Sequence, residues 1–93
     1  MTIGTLRIRL VLRGARSLKD KRRVIKGLKD RLRHKFNVSI AEVEHQDVWQ
    51  QATLGVAMVG TDGAYVNSVL SKVIDHVRPT AGAELVDYEL EMF

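Results

Sequence analysis

The sequence predicts an α+β sandwich built from four strands and two helices. Apolar residues recur at every second position in four segments, which is typical of strands with one buried face. In two longer segments they recur at every third or fourth position, which is typical of amphipathic helices. The helical segments follow the first and third strand segments. This order, strand, helix, strand, strand, helix, strand, is the split βαβ arrangement of ferredoxin-like domains.

The first strand and the first helix carry most of the positive charge. Residues 3–13 predict a strand because Leu and Ile alternate with residues that are mostly Arg. The helix is expected to begin near Leu18, since Ser17 is a favourable capping residue and Asp20 completes an imperfect capping box. Its apolar residues recur at helical spacing as far as Phe36, so one helix face packs on the core and the other is basic.

The rest of the chain supplies three more strands and a second helix. Residues 37–44 predict the second strand, with a bulge or an early end where the alternation slips. The third strand is predicted around residues 52–58, the second helix between the capping residue Asp62 and Val77, and the last strand over residues 86–92. Right-handed crossovers place the strands in the order 4-1-3-2, all antiparallel, with both helices on one face.

This topology gathers three connections at one end of the sheet and leaves one sheet face uncovered. The connections are residues 13–17, 45–50 and 78–83. The two central strands lack the aromatic residues that stack bases in RNA-recognition sheets, and dimerisation through the uncovered face or the second strand's edge stays open. On that face we expect cross-strand pairing of opposite charges, with Arg7, Arg9 and Val11 beside Asp87, Glu89 and Glu91.

Length and composition limit the class of protein. The chain has 93 residues, of which 45% are hydrophobic and 28% charged, so one globular domain over residues 1–93 is expected. No cysteine is present, which excludes a disulfide framework, a thiolate metal site and a cysteine nucleophile. No apolar run approaches the roughly 18 residues of a membrane span, and arginines interrupt the N-terminal segment. We therefore predict a cytoplasmic protein without a membrane partner.

Charge is divided unevenly along the chain. Residues 1–35 hold thirteen of the fifteen Lys and Arg residues and two of the eleven acids, a net charge of +11. Residues 36–93 hold two basic residues and nine acids, a net charge of −7. A basic zone of this density attracts polyanions, so nucleic acid is the first expected partner and an acidic protein surface the second.

The strongest candidate site is an anion-binding surface at the start of the first helix. Cations at this position oppose the helix dipole, so helix stability does not explain them. Free N–H groups at a helix N-terminus, surrounded by Arg and Lys, bind phosphate oxygens. The alternative is a solvated basic face that acids elsewhere in the chain neutralise. The predicted anion-binding residues are Arg13, Arg16, Ser17, Lys19, Lys21, Arg22, Arg23 and Lys26.

A second candidate is the polar connection after the second strand, which contains the only tryptophan. Trp49 could stack on a base or anchor a partner protein, with Gln46 and Gln50 supplying hydrogen bonds. The alternative is structural, with Trp49 closing one end of the core and His45 and Asp47 satisfying turn backbone groups. The predicted recognition loop consists of His45, Gln46, Asp47, Trp49 and Gln50.

No catalytic residue, metal site or cofactor is predicted. The glycines match neither a dinucleotide-binding nor a Walker pattern, and the serines occur in no nucleophile-elbow context. One His among scattered carboxylates lacks the spacing of metal ligands. An acylphosphatase-like hydrolase shares the size and topology, but residues 14–18 lack the Q-G-V-x-F-R pattern of that family's phosphate loop.

Three blocks of sequence carry a resemblance to a known family. The run S-L-K-x-K-R-R at 17–23, the stretch F-N-V-S-I-A-E-V at 36–43 and the motif H-Q-D-x-W-Q at 45–50 resemble the YlxP-like family of small bacterial proteins. The resemblance implies a ferredoxin-like fold and no established activity or catalytic residue. It also implies an association with translation and ribosome-maturation genes, which favours RNA or a ribosomal particle over DNA.

The leading prediction is a non-enzymatic module that binds RNA or a ribosomal particle through the basic first helix. A protein-docking or dimeric assembly factor, with an acidic protein on the same helix, is the alternative. An acylphosphatase-like hydrolase is the third hypothesis.

Overall fold

The computed structural model describes residues 1–93 and contains the six predicted elements in the predicted order. The sheet has the strand order β2-β3-β1-β4 and every neighbouring pair is antiparallel, which confirms the predicted order 4-1-3-2. The elements are β1 Thr2–Val11, α1 Leu18–Lys35, β2 Ser39–Glu44, β3 Gln51–Gly60, α2 Gly63–Val77 and β4 Glu84–Met92.

One hydrophobic core of 19 buried residues lies between the sheet and the two helices. Alternation along β1 directs Leu6, Ile8 and Leu10 into it, and helical spacing directs Ile25 and Leu28 of α1 toward them. Burying a side chain of this size contributes about 1.5–3 kcal/mol. Since both helices pack on the same side, the opposite face of the sheet, called the open face below, carries the other half of each strand's residues.

The start of α1 is capped as the sequence predicts. The Ser17 hydroxyl accepts a hydrogen bond from the Asp20 N–H at 3.1 Å. The Asp20 carboxylate accepts one from the Arg16 N–H at 3.0 Å, so the reciprocal bond reaches one residue further back than in a standard capping box. One free N–H of the helix start is therefore already satisfied by Ser17.

Two strands contain an irregularity, and the sequence predicts only one of them. In β2 the alternation slips between Ile40 and Val43, and the observed register shift between Glu42 and Glu44 confirms the expected bulge. In β4 the register shifts where it passes Arg9 and Leu10 of β1. Two-residue alternation predicts that Val86 lies on the same sheet face as Tyr88 and Leu90, and this prediction is wrong. The extra residue pairs Leu85 with Leu10 and leaves Val86 57% exposed.

The start of α2 lies unusually close to the sheet. A Cβ atom added to Gly4 would come within 2.4 Å of a Val66 methyl group, and one added to Gly60 would come within 2.6 Å of the other. Val66 is fully buried between these two glycines. The absence of side chains at two neighbouring strand positions therefore sets the distance between α2 and the sheet.

Replacing Gly27 with alanine is expected to raise the free energy of unfolding by about 1 kcal/mol, because glycine inside a helix loses more backbone entropy than alanine. Gly27 lies within α1, and an added Cβ would meet no atom within 4 Å. Chemical denaturation measures the change. Gly82→Ala is the matched control and should lower stability, because Gly82 has φ of +84° and its Cβ would lie 3.3 Å from Val24. An unfolding midpoint for Gly27→Ala at or below wild type would contradict the prediction.

The two ends of the chain pair with each other. Ile3 and Phe93 exchange backbone hydrogen bonds of 3.1 and 2.7 Å, which extend the β1–β4 ladder to the last residue. Neither helix is long and apolar enough to cross a membrane.

Candidate functional site

Backbone and side-chain hydrogen bonds join the connections at the end of β1. The Leu12 N–H donates to the Gln50 carbonyl at 2.9 Å. The Gln50 side-chain amide donates to the carbonyls of Arg13 and Ala15, both at 3.3 Å. The β1–α1 connection and the recognition loop, residues 45–50, therefore lie side by side, and Gln50 holds them together.

Lys21 anchors the recognition loop from inside the protein. Its side chain is buried, and its ammonium group donates hydrogen bonds to the carbonyls of His45 and Val48, the latter at 2.8 Å. The same ammonium lies 2.7 Å from the Glu42 carboxylate, whose Oε2 has no other polar partner. The ammonium group of Lys21 thus makes two hydrogen bonds to the loop and one ion pair to β2. This lysine is unavailable to a phosphate and does not belong to the exposed anion-binding surface.

A signal for the role of Lys21 is present in the sequence. Lys21 lies three residues after Leu18, four before Ile25 and seven before Leu28. This spacing places it on the apolar face of α1, opposite the exposed cations. A cation on an apolar helix face needs buried acceptors, and here the adjoining loop supplies them.

Four exposed cations have no acidic partner, three of them in the first turns of α1 and one just before the helix. Arg16, Lys19, Arg22 and Arg23 are exposed, and none of them forms a salt bridge. Helical spacing places Lys19, Arg22 and Arg23 on one face together with Lys26. We call Arg16, Lys19, Arg22, Arg23 and Lys26 the basic face.

Lys26 belongs to the basic face but shares its charge with Asp30. Its ammonium lies 2.9 Å from the Asp30 carboxylate one turn along α1. The hydrogen bond from Lys26 lowers the pKa of Asp30, and the charges of Lys26, Arg33 and Lys29 act in the same direction. Both side chains are largely exposed, so the pair adds little to stability.

Arg13 and Ser17, two other predicted anion ligands, make internal contacts. Arg13 Nε lies 2.9 Å from the Glu84 carboxylate at the start of β4. The Ser17 hydroxyl caps α1. Because these groups already have partners within the protein, the unpaired exposed cations near the start of α1 are Arg16, Lys19, Arg22 and Arg23.

The recognition loop presents Trp49 to solvent. Trp49 is 51% exposed and is not part of the hydrophobic core, so it does not close the end of the core. His45 adopts a left-handed backbone with φ of 61°, and its Nδ1 lies 3.3 Å from the Thr53 hydroxyl. The Gln46 side chain donates to the Glu42 carbonyl at 3.1 Å, while Asp47 is exposed. Apart from Trp49 and Asp47, the predicted loop residues help to hold the loop in place.

Salt bridges across the open face confirm the predicted pairing with the last strand for Arg9, but Arg7 pairs with another strand and Glu91 forms no salt bridge. The Arg9 guanidinium lies 2.8 Å from Asp87 and 2.9 Å from Glu89 on β4, and these hydrogen bonds raise the pKa of Arg9 further. Arg7 turns the other way and lies 3.3 Å from Glu44 on β2. Both arginines of the open face are therefore paired, in contrast to those of the basic face. Nowhere do three His, Asp or Glu side chains come close enough together to hold a metal ion.

The fold and the basic face together define a small ferredoxin-like α+β protein with unpaired positive charge on its helical side. The chain belongs to the family described as "Protein of unknown function (DUF503)", which matches residues 3–90. It is 38% identical over 72 residues to the uncharacterized protein YlxP of Bacillus subtilis (strain 168), a match that covers 77% of this chain and 78% of that protein. The YlxP-like family predicted from the three sequence blocks is confirmed.

A solved structure supports the fold independently. The de novo designed protein Foldit4 has a TM-score of 0.56 to this chain, covering 100% of this chain and 97% of that one. The two sequences are 10% identical, so the likeness concerns the fold alone.

Proposed function

We propose that this protein is a non-enzymatic, cytoplasmic RNA-binding module that contacts RNA phosphates through the basic face. The observation that carries the proposal is that three exposed cations on one face of α1, together with Arg16 just before the helix, have no acidic partners. Holding such charges together is unfavourable in the free protein, and a polyanion relieves the repulsion while releasing its own counterions. The pairing of Arg7 and Arg9 on the open face directs a polyanion to the helical side.

Trp49 supports RNA over a purely electrostatic partner. Its half-exposed indole lies in a loop that hydrogen bonds to the β1–α1 connection through Gln50 and to α1 through Lys21. An aromatic ring held beside a basic surface can stack on an unpaired base. The family's association with translation genes, implied by the resemblance, favours a ribosomal RNA or particle as the source of that base.

Removing three cations of the basic face is expected to weaken RNA binding on the order of 30-fold. The variant is Lys19→Ala/Arg22→Ala/Arg23→Ala. Because each lost phosphate contact also removes about one released counterion, the slope of log affinity against log salt should fall by about 2–3. The measurement is a titration of the purified protein with structured ribosomal RNA fragments and matched duplex DNA, followed by Trp49 fluorescence at several salt concentrations.

The matched control is Lys35→Ala/Lys72→Ala/Arg78→Ala, which removes three exposed cations that lie outside the basic face. This control should retain most of the affinity. Equal affinity of the two triple variants would refute the basic face as the RNA site. A partner protein that co-purifies with the wild type after nuclease treatment, but not with the Lys19→Ala/Arg22→Ala/Arg23→Ala variant, would instead support the docking of an acidic protein.

A further inference from the structure

A groove beside the basic face extends its positive charge along α1. The groove has a volume of about 340 Å³ and lies between α1, which supplies six of its seven lining residues, and Glu42 on the edge strand β2. Its cationic wall consists of Arg22, Lys26, Lys29 and Arg33, one residue on each successive turn of α1. The first and last of these positions are eleven residues apart, or about 16 Å along the helix. Arg22 and Lys26 belong to both surfaces, so the groove continues directly from the basic face.

The opposite wall of the groove is an edge strand. β2 pairs with β3 on one side only, so its other side, next to Glu42 in the groove, has no strand neighbour. The Arg33 guanidinium already crosses to this wall and donates to the Ile40 carbonyl at 2.8 Å. The wall can therefore offer hydrogen-bonding backbone groups in addition to the cations of α1.

Two acids line the groove, and they differ in how much of their negative charge reaches a ligand. Glu42 is directed at the ammonium group of Lys21 and has a side chain only 15% exposed, so its charge is neutralised from inside. Asp30 is exposed and lies 2.9 Å from Lys26 and 3.6 Å from Arg33. Asp30 thus occupies the two cations that a bound phosphate would use, and it competes with such a ligand.

We infer that the α1–β2 groove binds a single-stranded segment of RNA, whose successive phosphates lie along Arg22, Lys26, Lys29 and Arg33. The inference rests on the proposed function, because the strand would continue from the basic face. A groove bounded by a helix and a strand edge admits one extended backbone, whereas a duplex is held by its convex outer surface and can touch only the rim. One cation per helical turn matches a backbone that carries one charge per nucleotide.

Two variants with opposite expected effects test the groove. Lys29→Ala/Arg33→Ala should lower affinity for a single-stranded RNA of about 12 nucleotides roughly tenfold, and should leave affinity for an RNA duplex of the same length unchanged. Asp30→Asn should raise single-strand affinity about threefold, because it removes the competing carboxylate. Lys35→Ala/Lys72→Ala is the control for the loss of two exposed cations. Affinity should rise steeply between single strands of about 2 and about 4 nucleotides, because each of the four groove cations meets one phosphate, and less steeply with longer strands.

The outcomes separate this inference from the proposed function. Wild-type affinity of Lys29→Ala/Arg33→Ala for the single strand, or weaker binding by Asp30→Asn, would overturn the groove as the site. If the basic-face variant still lost affinity for structured RNA, the proposed function would stand without it. A gain of affinity by Asp30→Asn for the single strand but not for the duplex assigns the effect to the groove, so this arm still tests the inference if the Arg33 variant is unstable.

Discussion

Replacing Lys21 with methionine is expected to lower the free energy of unfolding by about 3–5 kcal/mol. The change removes the cation of a buried pair and leaves the Glu42 carboxylate, 2.7 Å away, without a partner. It also removes the donor for the carbonyls of His45 and Val48. Urea denaturation measures the loss. Lys21 holds the loop that contains Trp49. The emission maximum of Trp49 in the folded variant should therefore shift toward that of a fully solvated indole.

Two further variants separate the buried pair from a general effect of charge. Lys19→Met removes an exposed cation two residues away and should change stability by less than about 0.5 kcal/mol. Lys21→Met/Glu42→Leu removes both partners and should recover part of the loss, since an apolar replacement leaves no unpaired charge. Wild-type stability of Lys21→Met would show that the ammonium group anchors nothing.

Replacing Gly4 with alanine is expected to lower the free energy of unfolding by about 3 kcal/mol, at the upper end of the range for overpacked cores. The added methyl group would lie 2.4 Å from a Val66 methyl and 2.8 Å from a Leu70 methyl, both fully buried. Val66 is short and β-branched, so it cannot rotate away, and α2 must shift from the sheet. Thermal or chemical denaturation measures the loss.

The surroundings of Gly4 also supply the controls. Gly14 has open space where its Cβ would be, so Gly14→Ala should leave the unfolding midpoint nearly unchanged. Val66→Ala should be less destabilising in the Gly4→Ala background than alone, because the new methyl group partly fills the space. Strictly additive effects of Gly4→Ala and Val66→Ala would contradict the close packing of α2 on β1.

The fold was predictable because periodicity and handedness suffice to define it. Two-residue alternation in the strands and helical spacing in the helices fixed the element order, and right-handed crossovers left one strand order. The position of Val86 was not predictable, since Leu85 and Val86 are consecutive apolar residues and the alternation continued by Tyr88 and Leu90 favours Val86, the wrong one of the two, for the core face. The bulge depends on the β1–β4 register, which only the folded sheet determines.

The location of the candidate site was predictable from the sequence, but which of its cations are free and which are paired within the protein was not. The density of Lys and Arg around α1 indicates a basic surface, yet it does not show which cations have internal partners. Arg13 pairs with Glu84, 71 residues away, and Lys21 bonds to carbonyls 24 and 27 residues away. The partner of Arg13 depends on a tertiary contact that no local pattern indicates, whereas the position of Lys21 on the apolar face of α1 indicates burial but not which carbonyls it meets.

The pairing of Ile3 with Phe93 fixes where attachments leave the molecule. β1 runs for ten residues, about 33 Å, from this pair to the connections at its other end. A fluorophore, affinity tag or fusion partner joined to either terminus therefore emerges far from the recognition loop. Immobilising the protein by either end leaves the basic face and Trp49 accessible to a macromolecule in solution.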